Sequence, residues 1–154
     1  MPDIEAKDRP AVVLLVEDSP GDVRLMQEAF REVNPPIQMH VTNDGVDAMA
    51  FLRQHNAYAN APRPDLILLD LNMPRMDGRA VLALIKADED LRTIPTVVLT
   101  TSSAEGDIFR SYQLQASCYL CKPVELDVFE NLVKSINGFW LTSVKLPQAH
   151  RASA

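Results

Sequence analysis

The stretch LILLDLNMPRMDG, residues 66–78, decides the fold of this chain. Leu66, Ile67, Leu68 and Leu69 run unbroken into Asp70, and Pro74, Asp77 and Gly78 follow within eight positions. A short apolar run closed by turn residues predicts a strand buried on both faces, as in a parallel sheet. A carboxylate at the carboxyl end of such a strand adds nothing to packing. That end is where open α/β sheets bind ligands. Asp is also a common turn residue, so Asp70 taken alone reads equally well as a turn former.

Outward from this stretch, the chain of 154 residues is long enough for one domain with a substantial core. Its 47% hydrophobic and 23% charged content is ordinary for a globular protein, and its net charge of −6 argues against a nucleic-acid surface. The start, MPDIEAKDRP, lacks the apolar core of a signal peptide, and no apolar run approaches the length of a membrane span. The expected location is the cytoplasm. The expected organisation is a flexible stretch over 1–10, a domain over 11–146 with an extended last helix, and a flexible tail over 147–154.

Cys118 and Cys121 form a C-x-x-C, the spacing of redox and zinc sites. They fall in an expected strand, where residues three apart point to opposite faces, and no second pair completes a metal site. Buried thiols are the better reading.

Along the chain, AVVLLV at 11–16 predicts a second buried strand, ending in Glu17 and Asp18. Ser19-Pro20 predicts a helix start, with Ser as cap, Pro in the first turn and Asp22 at the positive helix end. Val23, Met26, Phe30 and Val33 give that helix its apolar stripe. Residues 37–42 predict a weaker strand, Asp44-Gly45 a turn, and 46–54 a helix. A polar loop over 54–64 follows. After the central strand come a helix marked by Val81, Leu82 and Ile85, a strand over 95–100, a short helix over 104–114, and a strand over 117–121. Leu126, Phe129, Leu132, Val133, Ile136 and Trp140 mark the last helix. Five strands alternating with five helices predict an α/β fold, a doubly wound five-stranded parallel sheet of flavodoxin-like order 2-1-3-4-5.

In that fold Glu17, Asp18, Asp70, Thr100 and Lys122 share the carboxyl edge of the sheet. Three carboxylates crowded beside the switch in strand order would repel one another without a cation among them. Hard oxygen ligands suit Mg²⁺, which shares its shell with phosphate. Thr100 and Lys122, a hydroxyl and an ammonium, suit a phosphoryl group opposite. Asp70 is central and best placed as a carboxylate nucleophile.

The segments LLVEDS (14–19), LILLDLNMPRMDG (66–78), VVLTTS (97–102) and YLCKP (119–123) resemble the response-regulator receiver family of two-component signalling. The resemblance implies a phosphoacceptor at Asp70, Mg²⁺ held by Glu17, Asp18, Asp70 and the backbone carbonyl of Asn72, a switch pair in Thr100 and Tyr119, and a phosphate contact from Lys122. It implies a stand-alone regulator, not an enzyme beyond its own phosphorylation on Asp70 and autodephosphorylation, with a sensor histidine kinase as partner. The loop ahead of residue 62, the run Thr100-Thr101-Ser102 and the tail GFWLTSVKLP (138–147) look most like regulators of bacterial and cyanobacterial phytochrome kinases. Thr101 departs from the Ala or Gly that many receivers carry there.

Two alternatives stand beside this reading: a phosphorelay intermediate, and a Mg²⁺-dependent phosphatase with an aspartyl nucleophile. The phosphatase pattern wants a second Asp two places after the nucleophile, where this chain has Asn72, which cannot supply the acid proton. A flavodoxin-like nucleotide carrier would want a phosphate loop where Glu17-Asp18 would repel phosphate.

Phe139, Trp140, Leu141, Val144 and Leu146 extend an apolar run past the last helix, and such a run marks a contact surface. The expected assembly is a homodimer through the last helix and this tail. Light scattering at micromolar concentration should give twice the chain mass for the full chain and a lower mass for a chain cut after Ile136. A full-length monomer in both the phosphorylated and unphosphorylated states would end the proposal.

Overall fold

The computed structural model describes residues 10–31, 36–71, 73, 76–100, 118–121, 131 and 134. Five strands make one parallel sheet: β1 (Ala11–Val16), β2 (Ile37–Thr42), β3 (Leu66–Asp70), β4 (Thr96–Thr100) and β5 (Cys118–Cys121), in the order β2-β1-β3-β4-β5. Three helices lie among the described residues: α1 (Pro20–Arg31), α2 (Gly45–Arg53) and α3 (Gly78–Ala87). The expected helix over 104–114 lies outside the described residues, as do the tail and residues 1–9. Positions 131 and 134 are helical, within the stretch expected for the last helix.

β3 is buried along its whole length, as its unbroken apolar run requires. Ile67 and Leu69 join Leu14 and Val16 of β1 in a core with Ala48, Met49 and Leu52 of α2 and Val81, Leu82 and Ile85 of α3. Leu66 and Leu68 face the other way, with Val13, Leu15, Val97 and Leu99, against Met26, Ala29 and Phe30 of α1. The period-two alternation of the strands thus divides the core into two layers.

Local chemistry places the helix ends. Ser19 Oγ accepts from the Asp22 amide at 3.4 Å and opens α1, with Pro20 in the first turn, where no donor is lost. Asp44 caps α2 by accepting from the Asp47 amide at 2.9 Å, and Asp77 caps α3 by accepting from the Ala80 amide at 3.0 Å. Gln54, expected as the last helical residue, instead ends α2 in the left-handed region at φ 58°. β4 starts at Thr96 rather than at Pro95, which has no amide hydrogen for the ladder. The start of β3 is pinned to β1 by a reciprocal pair: the Val12 amide donates to Asp65 Oδ2 at 2.8 Å, and the Asp65 amide to the Val12 carbonyl at 2.7 Å.

The loop over 54–64 is less simple than its polarity suggested. It holds a 3₁₀ turn, Asn56–Tyr58, whose Tyr58 packs on the core and lies tilted against Phe51, centroids 5.4 Å apart, while the Phe51 ring centroid lies 5.3 Å from that of His40. Burial, then the nearby Asp47 and Asp44, push the Tyr58 phenol above its ordinary value.

Because Leu68 is fully buried in the central strand, Leu68→Ala should lower stability by about 2–5 kcal/mol. Val46→Ala, at a position 46% exposed, should change it by less than about 0.5 kcal/mol. Urea unfolding followed by circular dichroism checks both, and equal effects would contradict the core described.

Candidate functional site

Register brings the acidic residues level. Val16 pairs with Leu69 across the β1–β3 ladder, so Glu17 and Asp70, each one residue further on, leave the sheet side by side at its carboxyl edge. Asp18 follows at the mouth of the loop into α1. One carboxylate oxygen from each of Glu17, Asp18 and Asp70 lies within 4.8 Å of the others. Glu17 is 2% exposed and Asp70 4%, while Asp18 is more open to solvent.

Each of these residues is held by its backbone surroundings. The Glu17 amide donates to the Thr42 carbonyl at 2.9 Å, and Asn43 Nδ2 donates to the Glu17 carbonyl at 3.1 Å. One oxygen of the Glu17 carboxylate accepts from the Ser19 amide at 3.2 Å, which ties it to the start of α1. Asp70 pairs with Leu99 of β4, and the next amide, that of Leu71, donates to the Leu99 carbonyl at 3.3 Å.

The loop after Asp70 folds back at once: the Gly78 amide donates to the Leu71 carbonyl at 2.9 Å. A Cβ on Gly78 would strike the Asp70 carbonyl and stand 2.6 Å from Leu71 Cα. Only hydrogen fits there. The Asp77-Gly78 pair that closes the opening sequence therefore does two jobs, capping α3 and letting its first turn approach the acidic strand end.

Three converging carboxylates, two of them nearly out of water, are an unfavourable arrangement without a positive partner. The donor set is all oxygen, which suits a hard divalent cation rather than a thiolate- or imidazole-seeking one. Glu17, Asp18 and Asp70 are the residues that would hold it. The other expected site residues stand less fully in view. Thr100 ends β4 opposite Cys121 of β5, and Tyr119 pairs with Val98, so their backbones sit where expected. The side chains of Thr100 and Tyr119, and all of Asn72 and Lys122, lie outside the described residues, as do Phe139, Trp140, Leu141, Val144 and Leu146. Cys118 and Cys121 both fall in β5.

Two contributors went unread in the sequence. Gly45 was seen only as a turn residue after β2 and Asn43 was given no role, yet Asn43 bonds the Glu17 backbone and Gly45 meets the loop that follows Asp70. The signal available was the run Asn43-Asp44-Gly45, richer in turn formers than a turn alone needs.

The chain matches the response regulator receiver domain family over residues 13–134. It is 51% identical over 140 residues to the response regulator Rcp1 of Synechocystis sp., a match covering 91% of this chain and 95% of that one. The crystal structure of the phosphorylated cyanobacterial phytochrome response regulator RcpA is 50% identical and superimposes with a TM-score of 0.87, covering 91% of this chain and all of that one. The Mn²⁺-bound form of Rcp1 is also 50% identical, with a TM-score of 0.85 over 90% of this chain and all of that one.

A cation that binds only the folded acidic cluster must stabilise the fold. At Mg²⁺ ten times its dissociation constant the gain should be about 1.4 kcal/mol, or about 3–6 °C in melting temperature for a chain of this size. Asp18→Ala should melt at the same temperature with and without Mg²⁺. A wild-type protein indifferent to Mg²⁺, or a variant that keeps the full increment, would count against the cluster as a cation site.

Proposed function

This chain belongs to the response regulator receiver domain family, and from that membership we propose that it takes a phosphoryl group onto Asp70 from the phosphohistidine of a phytochrome-type sensor kinase. The observation that supports this most directly is the convergence of the Glu17, Asp18 and Asp70 carboxylates within 4.8 Å at the ends of two neighbouring strands.

Asp70 ends the central strand and can present one carboxylate oxygen to an incoming phosphorus. An O–P bond forms to Asp70 as the N–P bond to the kinase histidine breaks. The imidazole nitrogen leaves with the electron pair and takes a proton from solvent. Water later attacks the acyl phosphate, releases inorganic phosphate and returns the Asp70 carboxylate. Glu17, Asp18 and Asp70, with the Asn72 backbone carbonyl, would hold Mg²⁺, which would supply positive charge to phosphoryl oxygens that the cluster alone would repel. Thr100 and Lys122 take the remaining phosphoryl oxygens, and Tyr119 follows Thr100 in registering the change.

The output of such a receiver is a changed protein surface, which we place in the cytoplasm. We place a homodimer contact on the stretch from Phe139 to Leu146, where identical last helices would pair about a two-fold axis. A dimeric kinase would present two donor histidines to that assembly.

Asp70→Asn should abolish phosphorylation while leaving the fold intact, because the amide matches the carboxylate in shape and cannot form the acyl phosphate. Removing one of three crowded charges should also raise the melting temperature in the absence of divalent ions. Transfer from a labelled phytochrome kinase, read by mobility-shift gel, checks the first point. Full labelling of the Asp70→Asn chain would reassign the acceptor.

A further inference from the structure

We propose that the turn Asn43-Asp44-Gly45, which supplies no group to the chemistry, is a positioning bracket: it sets how far the Glu17–Asp18 end of β1 stands from the loop that follows Asp70. The proposal rests on reading the acidic cluster as a divalent, phosphoryl-accepting centre.

The turn touches both halves of the site. On one side, β2 and the turn grip the Glu17 peptide from both ends: the Thr42 carbonyl accepts from its amide at 2.9 Å, and Asn43 Nδ2 donates to its carbonyl at 3.1 Å. The two peptide planes that flank the Glu17 Cα, and so aim its carboxylate, are thereby fixed to the end of β2. On the other side, Gly45 lies against Met76. A Cβ built on Gly45 would strike the Met76 carbonyl and come within 2.7 Å of both Met76 Cβ and Val81 Cγ2. Met76 stands two residues before Gly78, whose amide closes that loop onto the Leu71 carbonyl at 2.9 Å.

Between these two contacts the turn is stiff. Asp44 is 7% exposed, its side chain accepts from the Asp47 amide at 2.9 Å, and its carbonyl accepts from the Ala48 amide at 3.0 Å. The first turn of α2 thus braces the wedge. A rigid element bonded to one ligand-bearing strand end and pressed against the other's loop fixes the spacing of the oxygens between them. Partners that orient ligands in this way tune metal affinity even though they never touch the metal.

Two variants of the full chain separate the contacts. Asn43 is an exposed position, so Asn43→Ala should remain folded. Its affinity for Mn²⁺, read by electron paramagnetic resonance, should fall about 10-fold, and saturating Mg²⁺ should restore its rate of phosphorylation by phosphoramidate. Gly45→Ala should push the 71–77 loop outward, so that its phosphorylation at saturating Mg²⁺ slows by about 10-fold or more. Amide resonances of residues 17–19 should move in the first variant and those of 71–78 in the second. A merely structural role for the turn would lower melting temperatures alone, with Mn²⁺ affinity and saturated rate within about twofold of wild type at temperatures where the variants are folded. That result overturns the bracket. Should Gly45→Ala fail to fold, Asn43→Ala decides the matter by itself. A wild-type chain that neither binds Mn²⁺ nor takes phosphate on Asp70 would instead overturn the reading of the site, and the bracket with it.

Discussion

Everything at the carboxyl edge of this sheet follows from one electrostatic constraint: three carboxylates converge where two of them can hardly be hydrated. Two unit charges at about 4.8 Å interact by roughly 3 kcal/mol at an effective dielectric of about 20. That repulsion is opposed by hydrogen bonds to the carboxylates, such as that from the Ser19 amide to Glu17, and by the packing beneath. Strand β3, fully buried between two core layers, is the element that carries it, and the Val16–Leu69 register forces the contact. A divalent cation would turn the same geometry from a liability into a stabilising site.

Much of this was legible in the sequence, for reasons specific to each element. The run Leu66 to Leu69 could be nothing but buried, and ending it in Asp70 placed a carboxylate at the functional edge. Ser19-Pro20 and Asp44-Gly45 each carry the side chain that caps a helix and marked its start, whereas Asp77-Gly78 read only as turn residues and Asp77 proves to cap α3. The sheet order followed from alternating strand and helix signals with right-handed crossovers.

What escaped were contacts that only register creates. Asn43 reaches Glu17 across 26 positions of sequence, and nothing near Asn43 announces that partner. Gly45 and Met76 meet only because the start of α2 is packed against Met76 and Val81, at the approach to and within α3. Tyr58 was hidden for a different reason. It is a lone aromatic in polar surroundings, and its place on Phe51 depends on the 3₁₀ turn that swings it inward. Periodicity detects regular elements, and none of these residues acts through one.

The segment from Gln54 to Pro64 sits at the opposite rim of the sheet, where α2 hands the chain to the amino end of β3. It is knitted by its own contacts: Gln54 Nε2 donates to the Ala61 carbonyl at 2.6 Å, and an Arg63 guanidinium nitrogen donates to Thr93 Oγ1 at 2.9 Å. None of those contacts reaches the acidic cluster. The architecture therefore separates two kinds of freedom. At the carboxyl rim, Gly45 and Gly78 leave no room for even a methyl group, so those two positions tolerate no growth. At the amino rim, the exposed tip at Ala59 and Asn60 is a place where a fluorophore, an epitope or a fused module can be seated, a sheet's length away from the chemistry.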